Sequence, residues 1–281
     1  MASAPKRVIV VGDAAKARVS ETVERALPVL RETAEVVAVE LEGAQPLEST
    51  GADLALVFGG DGAILKAVRR LGENPPLVCG VNLGKLGFLA TLTDDGLVPA
   101  LRAVMSGKFQ VVSAIMLSCS VVREGAEIHR SRAVNDAVVS RGALSRIVPI
   151  HLLIDGERVT TYNGDGLIVS TPLGSTAHCL SAGGPIVEPG IEVMILAPIC
   201  PHTLSNRPLV VPAGRRIELE VGEGPGGIAL TVDGQVFQEL RAGDRVIVVK
   251  SRDRFRLVRA SGHNYFRTLR DKLGWSGQLE K

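Results

Sequence analysis

Hydrophobic and polar positions follow two different patterns along this chain of 281 residues. Before about residue 105, short runs of branched apolar residues alternate with longer stretches of helical spacing, which predicts strands and helices in turn. This alternation is typical of an α/β domain with an open, Rossmann-like parallel sheet and helices on its faces. The predicted strands are 8–11, 35–41, 54–58 and 77–81, and the predicted helices are 15–31, 63–71 and 94–106.

After about residue 108 the pattern changes to short apolar runs separated by Gly and Pro turns, which is typical of a β-sandwich-like, β-rich domain. We therefore expect an α/β domain at 1–107 and a β-rich domain at 108–262. An amphipathic helix within 263–281, spanning about 263–273, is expected to pack back on the first domain. The strands predicted in the second half are 111–122, 133–140, 148–154, 167–170, 193–196, 217–221, 228–232 and 246–249.

The strand predicted at 54–58 stops at Gly59-Gly60-Asp61-Gly62, which we call the first glycine turn, and a helix follows at once. Glycines let the backbone approach a bulky anion, and the amides at a helix start can donate to phosphate. In open parallel sheets ligands bind outside the carboxyl ends of the strands, which is where Asp61 falls. The alternative is a plain Asp-Gly turn in which the aspartate caps the helix.

Two common nucleotide motifs are excluded by the residues around other glycines. Gly84-Lys85 is followed by leucine and has no glycine five positions before it, so it is not a P-loop. The first strand runs into Gly12-Asp13 without a G-x-G-x-x-G pattern. A nucleotide site, if present, must therefore be of another type.

A second glycine-rich stretch follows the strand predicted at 167–170. It reads Thr171-Pro172-Leu173-Gly174-Ser175-Thr176-Ala177-His178-Cys179-Leu180-Ser181, and we call it the second glycine turn. Its hydroxyls and amides suit a phosphate or a ribose, and its small side chains let a ligand lie close to the backbone. The alternative is an ordinary connection between a strand and a helix that is capped by Ser175.

Composition narrows the function classes. Hydrophobic residues make up 46% and charged residues 22% of the chain, as in ordinary globular proteins, and a net charge of +2 with 3% aromatic residues argues against nucleic acid as a partner. The start of the chain lacks a leader pattern and no apolar run approaches membrane length, so we expect a cytoplasmic protein without a membrane partner. The four widely spaced cysteines predict buried free thiols rather than disulfides or a zinc site.

Taken together, these motifs resemble those of the NAD kinase (ATP-NAD kinase) family. The first glycine turn alone is also found in diacylglycerol kinases and phosphofructokinases, but the whole set occurs in the family's order over nearly the entire chain. Beside the two glycine turns, the resemblance rests on Asn82 to Leu89, Asn135-Asp136, Pro198 to Pro208, Val232-Asp233-Gly234-Gln235 and Tyr265 to Trp275.

The resemblance implies transfer of the γ-phosphoryl group of ATP to the 2′-hydroxyl of the adenosine ribose of NAD, which makes this chain an alcohol-group phosphotransferase. It implies Asp61 as the general base, Mg²⁺ arriving with ATP rather than held by protein ligands, and a homodimer or homotetramer. The dinucleotide contacts implied in the same way are Asp61, Gly62, Asn135, Asp136, Arg146, Asn163, Asp165, Thr176, Ala177, His178, Ser181 and Gln235.

Simpler interpretations remain for some of these residues. Asn135-Asp136 is also a common turn pair, Arg146 is also a typical surface charge, and Gln235 also fits a hairpin after Asp233-Gly234. His202, in a Pro-His-Thr sequence, is interpreted as a structural histidine rather than a catalytic one.

Two residues depart from the family pattern, because Leu173 and His178 stand where threonine and tyrosine are usual. Histidine offers a smaller flat face and can take up a proton, so we expect weaker or pH-dependent binding of the dinucleotide. Two alternative functions stay open on the sequence: a non-catalytic NAD(P) sensor that uses both turns, and a lipid or diacylglycerol-type kinase that shares the first turn.

Overall fold

The computed structural model describes residues 4–43, 46–84, 87–142, 149–203, 206–224, 227–260, 262 and 264–275. The chain divides into two compact units. The first unit consists of Met1–Val112 and Arg256–Lys281, and the second of Ser113–Phe255. The first unit is therefore built from two segments that are far apart in the sequence.

The first unit is an α/β structure with a parallel sheet in the order β2-β1-β3-β4, and both β5 and the end of β17 pair with β4. Its core joins apolar residues of these strands to those of the helices, and all five residues of β3 are buried. Strands buried on both faces are typical of parallel sheets that helices cover. The elements are β1 (Arg7–Val11), α1 (Ala17–Thr33), β2 (Glu35–Glu40), β3 (Leu54–Phe58), α2 (Asp61–Arg70), β4 (Leu77–Asn82), β5 (Ala90–Thr93), α3 (Leu97–Met105), the end of β17 (Arg245–Ala260) and α5 (Tyr265–Leu273).

This strand order creates a crevice between β1 and β3. The connection through α1 leads from β1 to β2, whereas the connection through α2 leads from β3 to β4 on the other side. Because such crossovers are right-handed, the two connections diverge to opposite faces of the sheet. The carboxyl ends of β1 and β3 thus flank a topological switch point, where ligands bind in open α/β sheets.

The second unit is formed by antiparallel strands. One sheet has the order β13-β12-β11-β8-β15-β16, and the other contains β10-β9-β14-β17 together with β6 and β7. A single apolar cluster takes side chains from both sheets, so the core lies between them as in a β-sandwich. The elements are β6 (Phe109–Arg123), β7 (Ala126–Ala133), β8 (Asp136–Arg141), β9 (Ile150–Ile154), β10 (Glu157–Tyr162), β11 (Gly166–Ser170), α4 (His178–Ser181), β12 (Val193–Ile199), β13 (Leu209–Pro212), β14 (Ile217–Val221), β15 (Ile228–Val232) and β16 (Val236–Leu240).

The predicted fold class is confirmed, with an α/β part, a β-rich part and a separate antiparallel sheet. The strand predicted at 133–140 begins later in the structure, because β8 begins at Asp136 and Ala133 is the last residue of β7. Position 148 and position 263, at the starts of two predicted elements, lie outside the described residues. The sequence analysis did not predict β5, β7, β10, β13 and β16.

The thiols differ in part from expectation. Cys79, Cys119 and Cys179 are buried, as predicted, but Cys200 is exposed just after β12. Its φ angle of 43° lies in the left-handed region, which non-glycine residues adopt mainly in turns. Within the described residues, no helix is both long and apolar enough to cross a membrane.

Candidate functional site

The first glycine turn places Asp61 at the start of α2, directly after the buried strand β3. One carboxylate oxygen, Oδ2, accepts the amide of Phe88 at 2.8 Å. The other, Oδ1, accepts the amides of Leu89 at 3.0 Å and Ala90 at 3.4 Å. The segment that leads into β5 therefore holds the carboxylate in one orientation.

Glycine is required at two positions around this carboxylate. A Cβ at Gly87 would lie 2.0 Å from Oδ1 of Asp61, and one at Gly59, where φ is 152°, would lie 2.7 Å from the Ala63 side chain. At Gly60 and Gly62, by contrast, a Cβ would meet no heavy atom within 4 Å. The last two glycines thus leave open space beside Asp61, as a bound ligand would require.

A cavity of about 180 Å³ lies at the switch point, between the carboxyl ends of β1 and β3 and one side of α2. We call it the switch-point cavity. It is lined by glycines of both connections, by apolar side chains and by four charged residues, of which Lys16, Lys66 and Arg70 are positive and Asp13 is negative. Arg70 also forms an ion pair of 3.3 Å with Glu40. A cavity with this charge suits a phosphate group.

The second unit contains another carboxylate held by the backbone. The carboxylate of Asp233 accepts the amides of Val134 at 2.9 Å, Asn135 at 2.8 Å and Asp136 at 3.1 Å. In return, the Asp233 amide donates to the carbonyl oxygen of Asp136 at 3.0 Å. The Asn135-Asp136 segment, between β7 and β8, is thereby fixed to the turn that joins β15 and β16.

The Asp136 side chain is buried, with 4% of its residue surface exposed. Burial, and in second place the charge of Asp233, raise the pKa of Asp136 to about 7. The nearby thiol of Cys179 is affected by the same carboxyl group. Burial and then the charge of Asp136 raise the pKa of Cys179 to about 11. A carboxyl group that titrates near neutral pH in a candidate binding region is a functional candidate.

The second glycine turn packs against Asn135. The carbonyl oxygen of Asn135 accepts hydrogen bonds from the Thr171 amide at 2.8 Å and from the Ser170 hydroxyl at 3.2 Å. A Cβ at Gly174 would lie 2.2 Å from the same oxygen, so only glycine fits there. The side-chain oxygen Oδ1 of Asn135 is buried and has no hydrogen-bond partner in the described structure. A buried acceptor of this kind fits a ligand that brings a donor.

The other residues named from the sequence lie in the second unit, and most of them are more open. Asp165 forms a 2.8 Å ion pair with Arg141, and the Thr176 hydroxyl donates to the Leu173 carbonyl at 3.2 Å. Ala177 is half-buried at the start of the four-residue helix α4. The remaining predicted contacts, Asn163, His178, Ser181 and Gln235, are exposed, as is His202. Arg146 lies outside the described residues.

Comparison with known proteins identifies the family. The ATP-NAD kinase N-terminal domain model matches residues 6–109, and the ATP-NAD kinase C-terminal domain model matches residues 134–260. The NAD kinase of Rhodopirellula baltica is 42% identical over 275 residues, which cover 98% of this chain and 88% of that protein. This chain belongs to the NAD kinase family.

Further NAD kinases and related structures are similar over most of their length. The NAD kinase of Geobacter sulfurreducens is 47% identical over 224 residues, covering 80% of this chain and 79% of that one. The structure of yeast NADH kinase complexed with NADH has a TM-score of 0.89 at 26% identity and covers 99% of this chain and 91% of that chain. An NAD kinase from Archaeoglobus fulgidus in complex with ATP has a TM-score of 0.77 at 30% identity, with coverages of 95% and 98%.

The structure gives a role to residues of this NAD kinase family member to which the sequence analysis assigned none. They are Gly87, which makes room for the Asp61 carboxylate, Asp233, which holds Asn135-Asp136, and the basic residues of the switch-point cavity. For Asp233 a signal was present, since Asp233-Gly234 was noted as a hairpin turn, but its partners are nearly a hundred positions away. No group of three His, Cys, Asp or Glu residues within the described ranges could hold a metal ion.

Proposed function

We propose that this chain catalyses transfer of the γ-phosphoryl group of ATP to the 2′-hydroxyl of the adenosine ribose of NAD. The observation that carries the proposal is a fixed carboxylate, Asp61, in a glycine turn with open space beside it, in a chain whose two halves match both NAD kinase domain models. In the reaction the ribose oxygen forms a bond to the γ-phosphorus as the bond to the β,γ-bridging oxygen breaks. The products are NADP and ADP.

Asp61 is proposed to accept the proton of the 2′-hydroxyl. A carboxylate offers about four acceptor positions, and the three amides of residues 88–90 occupy three of them. Within the described residues no further donor reaches the remaining position, on Oδ2, and we propose that the 2′-hydroxyl takes it. Phosphoryl transfer depends mainly on alignment and charge neutralisation, so a base held in place by the backbone suits this reaction.

The switch-point cavity is the proposed site of the donor's phosphate groups. It adjoins Gly62, one residue after the proposed base, and Lys16 and Lys66 bring positive charge to it. Positive groups of this kind neutralise charge that develops on a transferring phosphoryl group. Mg²⁺ is expected to arrive with ATP, where it would neutralise part of the phosphate charge.

The acceptor dinucleotide is proposed to bind to the second unit. The unpartnered Oδ1 of Asn135 suits a donor group of the ligand, and the second glycine turn presents hydroxyls and backbone beside it. The other proposed contacts of the dinucleotide are Asp136, Asn163, Asp165, Gln235 and the segment 176–181. The role of the exposed ring of His178 in binding stays a prediction.

The first experiment measures NADP formation from NAD, ATP and Mg²⁺ by the purified chain and by its Asp61→Asn variant. We expect NADP from the parent and a loss of at least about a hundredfold in the variant, since general-base groups contribute on that order. Asp53→Asn is the matched control, because the Asp53 carboxylate also accepts two backbone amides, those of Lys6 and Arg7 at 2.9 Å each, but lies before β3. Tight NAD binding without any NADP would instead indicate a dinucleotide sensor.

We also propose that the active form is a homodimer or homotetramer, as the family resemblance implies. Exposed apolar residues on both outer strands of the six-stranded sheet support this proposal: Leu209 and Val210 on β13, and Phe237 on β16. Light scattering after size-exclusion chromatography distinguishes a monomer from either oligomer.

A further inference from the structure

The turn residue Asp233 holds the Asn135-Asp136 segment through its side chain, in addition to forming the hairpin between β15 and β16. Oδ1 of Asp233 accepts two amides, those of Asn135 and Asp136, and Oδ2 accepts the amide of Val134. These partners lie 97 to 99 positions away in the sequence. The carboxylate thus determines where the backbone runs just before β8.

Turn geometry alone does not explain a carboxylate at this position. Asp233 and Gly234 have φ angles of 51° and 64°, as a tight hairpin turn demands, and asparagine meets that demand equally well. A second hairpin turn in the same unit, Asp155-Gly156, has φ angles of 53° and 84°. Its carboxylate accepts the Arg216 amide and pairs with Arg215, both at the surface. The two turns therefore differ in what their carboxylates hold, not in shape.

The charge of Asp233 also acts on the buried Asp136. Burial and the Asp233 charge both favour the protonated form of Asp136, whose pKa is raised to about 7. Two thiols lie near this carboxyl group, Cys119 on β6 and Cys179 on α4. Burial and then the charges of Asp233 and Asp136 raise the pKa of Cys119, whereas burial and then the charge of Asp136 raise the pKa of Cys179. Both thiols are therefore neutral at physiological pH, and the charge of Asp233 adds to the larger effect of burial on Asp136.

We propose that Asp233 is a positioning residue for the acceptor dinucleotide: its carboxylate holds Asn135 and Asp136 in their binding geometry. The inference rests on the proposed function, since it assumes that Asn135 and Asp136 contact NAD. It assigns Asp233 no contact with the reacting atoms.

The test replaces one carboxylate oxygen by an amide group in Asp233→Asn of the full chain, with Asp155→Asn as the matched control. Asparagine keeps the turn, but its NH₂ group faces the Val134 amide, two donors that repel each other. We expect the KM for NAD to rise about tenfold in Asp233→Asn while the KM for ATP stays near that of the parent. Asp155→Asn is expected to match the parent in both KM values.

A pH series separates positioning from general loosening of the fold. If the KM for NAD is followed from pH 5.5 to 8.5, the midpoint of its change is expected at lower pH in Asp233→Asn, because the charge that opposes ionisation of Asp136 is gone. Asp233→Glu, which keeps the charge, should retain the parent midpoint while it raises the KM for NAD. This second variant also decides the question if Asp233→Asn does not fold.

Three results would overturn the proposal. They are a KM for NAD in Asp233→Asn equal to that of Asp155→Asn, an equal rise in both KM values together with a lower melting temperature, and an unchanged pH midpoint. Failure of the proposed function looks different, because the parent itself would then form no NADP. In that case calorimetric titration of NAD into the same three proteins still measures the effect of Asp233 on binding.

Discussion

Asp61 and Asp233 illustrate how a single side chain is oriented in this protein. Each carboxylate accepts hydrogen bonds from three consecutive backbone amides of a segment that is distant in the sequence. Hydrogen bonds to an ionised acceptor are stronger than neutral ones, and three together leave the carboxylate little freedom. The residues that shape the partner segment are therefore as important for orientation as the carboxylate itself.

Gly87 provides a direct test of that dependence. In Gly87→Ala the new Cβ would lie 2.0 Å from Oδ1 of Asp61, so the carboxylate must move. We expect kcat for NADP formation to fall about a hundredfold, since a displacement of about 1 Å can cost that much. Gly84→Ala, in the same connection but with no heavy atom within 4 Å of its Cβ, should keep the parent kcat. A parent-like kcat in Gly87→Ala would show that the position of Asp61 is not critical.

The raised pKa of Asp136 predicts that the stability of the fold decreases as the pH rises toward neutral. Its pKa is about 7 in the folded chain but near 3.8 when unfolded, so between these values the unfolded chain loses the proton first. The free energy of unfolding therefore falls as the pH rises from about 4 to about 7. In Asp136→Asn this loss is absent. Urea unfolding of the variant and the parent should therefore show that the variant's free energy of unfolding, relative to the parent's, is on the order of 4 kcal/mol greater at pH 7.5 than at pH 4.

Asp155→Asn is the control of opposite sign for this measurement. Hydrogen bonds from the Arg216 amide and then Arg215 lower the pKa of Asp155, so this carboxylate stabilises the fold above its unfolded pKa and the effect is lost in acid. Its asparagine variant should lose stability at neutral pH rather than gain it. If Asp136→Asn behaves in the same way, the carboxyl group is ionised without penalty in the folded chain.

At the residue scale, sequence reasoning identified carboxylates but not what holds them. The first glycine turn is a local pattern, so Asp61 could be selected from a few adjacent letters. The amides that orient it lie 27 to 29 positions further along, and those around Asp233 lie 97 to 99 positions back. Such contacts are set by sheet topology and leave no mark in the local composition.

At the scale of elements, the contact between β8 and β11 depends on one glycine. A Cβ at Gly166 would lie 2.4 Å from the carbonyl oxygen of Val139 and 2.9 Å from the Cα of Ser140. Both atoms belong to the neighbouring strand, so they cannot give way without moving the sheet. β8 begins with Asp136 and β11 leads into the second glycine turn, which couples this pairing to the proposed acceptor site.

Gly166→Ala is expected to lower the free energy of unfolding by about 1–3 kcal/mol, the usual cost of extra atoms in a packed interior. Urea denaturation measures this difference directly. Gly214→Ala, where a Cβ meets no heavy atom within 4 Å, should leave the midpoint nearly unchanged. Equal midpoints for the two variants would mean that the strands separate without cost.

The elements that could be predicted share a property that the others lack. The buried strands β3 and β4 are almost continuous apolar runs, which predict strands without further context. Of the strands that were missed, β7 and β10 carry mostly exposed or half-buried polar residues. Their sequences resemble loops because partners in the sheet, not apolar side chains, keep them extended.

At the scale of the whole molecule, the two units differ in how the chain supplies them. The second unit is one continuous segment, Ser113–Phe255, with its own core, whereas the first needs residues from both ends of the chain. Leu257 pairs with Val78 of β4, and Val258 belongs to the core of the first unit. The domain limits predicted at 107 and 262 stay a prediction.

Fragments test this difference. A fragment of residues 113–255 is expected to unfold cooperatively on heating, because its core is complete, whereas residues 1–112 alone should show no cooperative transition. Circular dichroism measures both. Adding residues 256–281 through a short linker to 1–112 should restore a transition. A cooperative transition of 1–112 alone would show that the last strand is dispensable.

The two-segment first unit also matters while the polypeptide is still being made. Translation adds about 5–20 residues per second, and domains generally fold as units as they emerge. Residues 1–112 leave the ribosome first, but Leu257 and Val258 follow only after all of residues 113–255. The nascent first segment therefore waits roughly 7 to 30 s with part of the β4 edge unpaired, open to proteases and to other chains. A message cut short directly after Phe255 would yield a finished second unit attached to a first one that cannot close.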